Sequence, residues 1–472
     1  MKPTSTRKFL STSSRFTQLV LVFLDIAGML LILIPSHIHF AGLHAPDFML
    51  GLKLLTIVSF ILTYNYLMDL YTFESSLSQL GMLERSFIAM LLTAVSVALI
   101  VYILGPAFIG GFVGRGVLAS SLVGIWLYSL AIRYLLNNWF VAQRRQVEWI
   151  VMANGNISEF INHFRSRYVV ERLLLLTQTA ESGRDEGLPE IPAQGIEHAG
   201  TWGELDRLMR KHQIAGIVVM APEQMSERMI EQLMTIRISG IRLFTLSDFY
   251  EKYLMRLPVF HLSQQWLAMS HGFELIHNPI GLRFKRFLDV GLALVGGVML
   301  LPAILVVCCL ILVTMGWPVL YRQERVGENG RTFWVYKFRT MVNEAEVDGA
   351  QFAIADDPRV TRLGRSLRKF RLDELPQLWN VLIGEMSFIG PRPERPEFTS
   401  RLADEIPYYN LRHIVKPGIT GWAQVMYGYG DNVADSIEKL QYDLFYIKNY
   451  SLLLDISIMV RSLKVVLFGA GR

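Results

Sequence analysis

Four long apolar stretches dominate the first 146 residues: Phe16–Ser36, Phe48–Leu67, Ser86–Leu104 and Val117–Leu136. Each is close to the ~20 residues that a helix needs to cross a hydrocarbon core, so the pattern predicts four transmembrane helices over 1–146. The first is not read as a cleavable leader, because it is long, lacks a small-residue cleavage site and is followed by further spans. Over 147–262 the apolar runs shorten. Val147–Met152, Ile214–Met220 and Ile241–Leu246 predict strands, and Ile157–Arg167 and Glu223–Arg237 predict helices. Strands alternating with helices imply βαβ units and a parallel sheet. A polar linker at 263–282 follows, and then Val290–Gly316 runs for 27 positions without a charge.

That run would be about 40 Å long as a straight helix, more than the ~30 Å core. Pro302 interrupts it, with Gly296 and Gly297 just before. Two topologies are open, a tilted and kinked span or a re-entrant hairpin over 287–316. Proline favours a sharp bend, and the segment after Trp317 is rich in Arg and Lys, which accumulate on the cytoplasmic side. The hairpin is therefore the expected form. The same rule applies to Lys2, Arg7, Lys8 and Arg15 ahead of the first span and to Arg144 and Arg145 after the fourth. Both termini are expected in the cytoplasm.

Composition agrees with a membrane protein. Of 472 residues, 52% are hydrophobic and 18% charged, against about 25% charged in a soluble domain. The net charge of +5 suits anionic lipid and gives no reason to invoke nucleic acid. Cys308 and Cys309 are the only cysteines and lie inside the apolar run, which rules out a disulfide framework and a multi-cysteine metal site. Asp25 falls within the first span, where a charge costs at least ~2.5 kcal/mol. It reads either as a proton or ligand site or as a hydrogen-bonded residue holding helices together, and the second is the reading adopted. The turn after the first strand, Ala153-Asn-Gly-Asn156, has one glycine where a dinucleotide site would show G-x-G-x-x-G. The central domain is thus a degenerate nucleotide-binding-like fold suited to packing or regulation.

The chemistry lies between Pro318 and Gln424. Arg359, Arg362, Arg365, Arg368 and Arg371 recur every three residues, and neighbours three apart share a helix face. Such a face can rest on lipid headgroups or grip phosphates bidentately, with one or two arginines reaching a site. Asp373 and Glu374 follow at once, then Pro376 in the expected first turn of a helix through Leu382. Asp373 alone would read as an N-cap. Beside the arginines, an ionised carboxylate suits attack on phosphorus, with cations carrying the transition-state charge. Gly390-Pro-Arg-Pro393 is a stiff turn that holds Arg392 in place, and Lys416-Pro-Gly418 is another. Neither an Asp-x-Asp metal pair nor a P-loop occurs.

From about Arg283 to the C-terminus, these motifs resemble the bacterial polyprenyl-phosphate sugar-1-phosphate transferases. Lys285-Arg286, Lys337-Phe-Arg-Thr-Met341, Asp373-Glu-Leu-Pro-Gln377, Gly390-Pro-Arg-Pro393 and Lys416-Pro-Gly-Ile-Thr-Gly421 occur in order. Four spans and a degenerate Rossmann-like domain ahead of them look like the large, multi-span members that begin exopolysaccharide or O-antigen units. The resemblance implies a mainly helical catalytic domain over 283–472 with a re-entrant helix broken at Pro302. It implies Asp373 as nucleophile and Mg²⁺ ligand, Glu374 as its partner, and Arg368, Arg392, Lys337 and Arg339 as phosphate- or substrate-binding residues. It further implies a UDP-sugar donor (glucose or galactose by family precedent), an undecaprenyl phosphate acceptor, UMP as product, a homodimer and the bacterial inner membrane. Three rivals stand beside it: a glycosyltransferase releasing UDP, a nucleotide-sugar epimerase or dehydratase centred on 147–262 with bound NAD, and a non-enzymatic regulatory or assembly protein of polysaccharide export.

Overall fold

The computed structural model describes residues 18–35, 48–68, 70–71, 79–109, 115–144, 148–154, 157–167, 172–178, 196–262, 264–273, 278–342, 357–428 and 432–467. The chain divides into two compact units, Met1–Thr245 and Leu246–Arg472. The first opens with α1 (Gln18–Pro35), α2 (Phe48–Leu67), α3 (Gln79–Ile109) and α4 (Arg115–Arg144). Each apolar stretch read from the sequence lies on one of these helices, with Phe16, Thr17 and Ser36 of the first falling outside the described residues. By length and composition, α1 and the Met82–Ile100 part of α3 suffice to cross a membrane, whereas the described apolar parts of α2 and α4 are shorter, Leu55–Leu67 and Ser120–Leu136. One buried cluster draws on all four: Met29, Leu33, Ile57, Ile61, Val97, Leu122 and Ile125. At Gly28 a side chain would meet the Tyr128 ring at 1.9 Å, so glycine is what lets α1 and α4 approach.

Asp25 is the polar centre of this region. Its carboxylate accepts from both terminal nitrogens of Arg133 at 2.9 and 2.7 Å, and from Asn65, Tyr71 and Ser129 at 3.2, 3.0 and 3.3 Å. Both charged side chains are about 1% exposed. The carboxylate ties α1 to α2 and α4, in line with the helix-holding role.

The same unit then forms a five-stranded sheet from β1 (Glu148–Ala153), α5 (Ser158–Arg167), β2 (Arg172–Thr177), β3 (Ile196–Thr201), α6 (Leu205–Lys211), β4 (Ile214–Val219), α7 (Glu227–Ile238) and β5 (Arg242–Thr245). All strands are parallel, in the order β3-β2-β1-β4-β5. Ile150, Met152, Ile217 and Val219 alternate inward and meet Leu205, Leu208, Leu233 and Ile236 of α6 and α7. The helix expected from Glu223 starts at Glu227, because Ser226 caps it by accepting from the Met229 N–H. Just past β1, Asn154 donates to Gln178 and Gln224, both at 2.8 Å. These amides cross the carboxyl end of the sheet, where open parallel sheets bind ligands.

The second unit contains α8 (Leu246–Phe249), α9 (Gln264–Met269), α10 (Pro279–Met315), β6 (Leu320–Val326), β7 (Thr332–Phe338), α11 (Arg362–Lys369), α12 (Gln377–Ile383), β8 (Ser387–Ile389), α13 (Pro396–Glu405), β9 (Gly418–Thr420), α14 (Trp422–Met426), α15 (Val433–Lys448) and α16 (Leu452–Leu467). It begins at Leu246, ahead of the 263–282 linker. Leu257, Val259 and Leu262 share a core with Trp422, Leu440 and Tyr446, and Trp422 donates its indole N–H to the Met255 carbonyl at 2.9 Å. β6 and β7 form an antiparallel hairpin, while β8 and β9 pair in parallel.

α10 runs through Pro302 and is long and apolar enough to cross a membrane. Val298, Met299 and Val313 are each more than 70% exposed. Both of its ends are fastened to polar groups of the second unit. At the start, Lys285 pairs with Asp455 at 2.6 Å, Arg286 donates to the Val381 and Leu382 carbonyls, and Asp289 accepts from the Phe388 N–H at 3.1 Å. At the end, Arg339 donates to the carbonyls of Met315, Gly316 and Trp317. On α16, Asp455 is buried and also accepts from the Tyr446 hydroxyl at 2.8 Å.

Candidate active site

Phe333, Val335 and Lys337 share one face of β7. The first two are buried in the core with Ala293, Val381 and Met386, and the third lies where that core meets the carboxylate pair. α11 brings the next cation. Thr361 caps it by accepting from the Gly364 N–H at 2.9 Å. A side chain at Gly364 would meet the Thr340 carbonyl oxygen at 2.0 Å, so glycine admits α11 against the chain leaving β7. Arg368 then donates from Nε to the Thr340 hydroxyl at 3.0 Å.

The helix ends as Arg371 enters the left-handed region at φ 55°, and Leu372–Glu374 form a 3₁₀ turn. This reversal buries both Asp373 and Glu374. Pro376, not Asp373, occupies the N-cap position of α12. Capping therefore does not account for Asp373.

Glu374 is held by three cations. Arg392 donates to it at 2.8 Å, Lys337 lies at 3.6 Å from the same oxygen, and Arg371 lies at 3.6 Å from the other. Burial alone would raise its pKa, but Arg392, Lys337 and Arg371 together outweigh burial and hold it near 2. Asp373 shifts the other way. Burial and the neighbouring Glu374 charge raise it, opposed by Lys337, Arg368 and Arg392. Lys337 is drawn down to about 8 by burial and by Arg392, against the pull of Glu374. Two carboxylates thus face four cations, a local excess of positive charge that suits an anionic ligand.

Asp373 accepts no hydrogen bond among the described residues, although its carboxylate is buried beside this cluster. A carboxylate with unoccupied oxygens next to a phosphate-binding cluster fits Mg²⁺, which takes one or two carboxylates and completes its shell with water and phosphate oxygens.

Of the residues read from the sequence, Asp373, Glu374, Lys337, Arg368 and Arg392 come together. Arg339 is placed elsewhere, on the last carbonyls of α10, and Pro302 lies within that helix. The arginine array divides: Arg359 is paired with Asp357, Arg362 and Arg365 are exposed, and Arg368 and Arg371 turn to the carboxylates. Arg325 on β6 was not singled out, yet it lies close enough to depress the Lys337 pKa. It sits two residues after half-buried Gln323 on a strand whose first three residues are exposed, and so carries no periodic signal.

Residues 280–469 match the family described as bacterial sugar transferase. A UDP-N-acetylgalactosamine-undecaprenyl-phosphate N-acetylgalactosaminephosphotransferase of Aeromonas hydrophila is 40% identical over 250 residues, 50% of this chain and 59% of that protein. A Bacillus subtilis protein, provisionally named an undecaprenyl-phosphate N-acetylgalactosaminyl 1-phosphate transferase, is 50% identical over 143 residues, 30% of this chain and 80% of that protein. A UDP-glucose:undecaprenyl-phosphate glucose-1-phosphate transferase of Xanthomonas campestris is 33% identical over 278 residues, 57% of this chain and 56% of that protein. The chain thus spans little more than half the length of the Aeromonas and Xanthomonas relatives. With the ordered motifs, the clustered carboxylates and cations, and four-fifths of the Bacillus protein matched at 50% identity, the chain belongs to the bacterial sugar transferase family.

Proposed function

We propose that this chain transfers a sugar-1-phosphate from a UDP-sugar to undecaprenyl phosphate, releasing UMP and forming undecaprenyl-diphosphate-sugar, as the first membrane step of exopolysaccharide or O-antigen assembly. The observation that carries this reading is the division of labour in the buried pair. Glu374 accepts from Arg392 at 2.8 Å and has Lys337 and Arg371 each at 3.6 Å, while among the described residues no group donates to Asp373. The names of the Aeromonas and Xanthomonas relatives supply the donor and acceptor classes.

An Asp373 oxygen attacks the phosphorus that bears the sugar. The bond from that phosphorus to the bridging oxygen breaks, and UMP leaves with the electron pair. An oxygen of undecaprenyl phosphate then attacks the sugar-phosphoryl aspartate, forming the diphosphate and freeing the carboxylate. Arg368, Arg392 and Lys337 balance charge on the phosphoryl oxygens, and Glu374 keeps Arg392 and Lys337 oriented. Mg²⁺ held by Asp373 would supply further neutralisation of phosphate charge.

The four N-terminal helices form a transmembrane bundle in the inner membrane with both termini cytoplasmic, and α10 is a re-entrant hairpin bent at Pro302. The fastening of both α10 ends to one polar unit supports the hairpin, since a straight helix of 37 residues would hold its ends about 55 Å apart. A cysteine at Asn329, at the tip of the β6–β7 hairpin, should be labelled from the cytoplasmic side alone.

The deciding assay incubates the purified chain with undecaprenyl phosphate and a panel of UDP-glucose, UDP-galactose and UDP-N-acetylgalactosamine. UMP as the released nucleotide is expected, together with a trapped sugar-phosphoryl adduct on Asp373. Release of UDP, or undiminished turnover in Asp373→Asn, overturns the reading. Light scattering in detergent tests the homodimer.

A further inference from the structure

The Gly390-Pro-Arg-Pro393 turn presents an unusual holding problem. Prolines 391 and 393 carry no N–H, so the segment can be fixed to its surroundings mainly through its carbonyls, and buried carbonyls need donors. Four consecutive carbonyls are each met by a donor from elsewhere. The Gly418 N–H on β9 donates to Pro391 at 2.9 Å and the Val326 N–H on β6 to Glu394 at 2.9 Å. Between them, Arg412 donates to the Arg392 carbonyl at 3.0 Å and Arg325 to the Pro393 carbonyl at 3.0 Å.

Both arginines are themselves aimed by other groups. Arg412 donates to the Tyr409 hydroxyl at 2.7 Å and to Asp443 at 2.9 Å, and its side chain is 6% exposed. Arg325 donates to Gln323 and lies 3.5 Å from Glu394. Each leaves its Nε buried without a partner among the described residues, which costs free energy. Buried ion pairs are weak contributors to stability when a well-packed apolar set could replace them. What both arginines do share is the backbone just after the Cα of Arg392, whose guanidinium touches Glu374 at 2.8 Å.

We infer that Arg412 and Arg325 are positioning residues for the transfer reaction, clamping the carbonyls of Arg392 and Pro393 so that the Arg392 guanidinium stays over the carboxylate pair, ready for a diphosphate. Neither touches Asp373 or Glu374. Arg412 is the stronger clamp because its fork is fixed at both ends, by Asp443 and Tyr409. Lysine keeps the charge but has no planar fork to span those groups and the carbonyl. The inference rests on the proposed transfer reaction, and the wild-type UMP assay tests that reaction separately.

The test is a double-mutant cycle on the full-length protein, read as UMP release under single-turnover and steady-state conditions, with thermal midpoints recorded for every variant. Arg412→Lys is expected to lower kcat at least about 20-fold with KM for the UDP-sugar changed less than about threefold. In an Arg392→Ala background the same substitution is expected to lower the residual rate less than about twofold, because a residue acting through Arg392 has nothing left to position. Equal fold-losses in both backgrounds, or no loss in either, overturn the inference. If Arg412→Lys lowers the folded fraction, Arg325→Lys and Asp443→Asn run through the same cycle, with losses of about fivefold that also vanish in Arg392→Ala. Multiplicative losses there overturn it equally.

Discussion

Asp25 and Glu374 are both buried carboxylates gripped by arginine, one in the N-terminal helices and one in the catalytic unit. Around Asp25 the charges cancel: one carboxylate, one bidentate guanidinium, and the remaining lone pairs filled by Asn65, Tyr71 and Ser129. Around Glu374 they do not. Two adjacent carboxylates meet Lys337, Arg368, Arg371 and Arg392, and Asp373 has no hydrogen-bond partner among the described residues. A closed, neutral cluster is a fastening. An open cluster with surplus positive charge suits an anion, which would offset the cost of burying that charge. Burial of a charge therefore does not separate the two clusters; the balance of its surroundings does.

The contrast can be broken most sharply at Asp373. Asp373→Asn should lower UMP release about 10⁴-fold or more, the size seen when a nucleophile is removed, with an unchanged thermal midpoint. Asp25→Ala should do the reverse. Leaving Arg133 buried without its partner should cost about 3–5 kcal/mol of stability, measured as the midpoint in detergent, while activity per folded molecule stays within about threefold. Asp25→Leu combined with Arg133→Met should restore most of that loss. A stable Asp25→Ala with dead catalysis would erase the distinction.

A pH profile sharpens the catalytic side. Lys337 is charged below its pKa of about 8 and neutral above it, so the positive surplus shrinks as pH rises. The kcat/KM for the UDP-sugar should fall toward tenfold per pH unit above about 8, and Lys337→Arg should move that limb upward. The smallest effect is expected at Arg365, three residues before Arg368 but exposed. Arg365→Ala should change turnover less than about twofold.

Much of this was legible in the residues. β1 and β4 are short apolar runs at the middle of a parallel sheet, which buries such strands on both faces. β3, Ile196-Glu-His-Ala-Gly-Thr201, lies at the sheet edge beside β2, so its mixed composition has no signature. The Arg172-Leu-Leu-Leu-Leu-Thr177 run carries an apolar strand signature as clear as that of β1. The stretch 246–262 is apolar enough to suit either unit, and only its packing with α14 and α15 assigns it.

Within the site, the spacing of three suggested that one or two arginines of the array would reach the carboxylates, and Arg368 and Arg371 do. Arg339 shows the limit of motif reading. Its place in Lys337-Phe-Arg-Thr-Met341 looks like that of Lys337, but β7 ends at Phe338, and beyond the strand Arg339 turns to the end of α10. Arg286 and Lys416 likewise serve backbone carbonyls at the end of α12. A guanidinium that caps a helix and one that meets a phosphate look identical in one dimension.

Because α10 is pinned at Lys285, Arg286 and Asp289 and again at Met315 and Gly316, its residue count is a matter of screw symmetry. Within each arm, an inserted or deleted residue turns that arm's pins by about 100° relative to Pro302 and shifts them by about 1.5 Å. Point substitutions among its many outward aliphatic positions should pass unnoticed, while a single-codon deletion between the pins should uncouple them. The length of each arm, more than its composition, is therefore what keeps the two sets of pins in place.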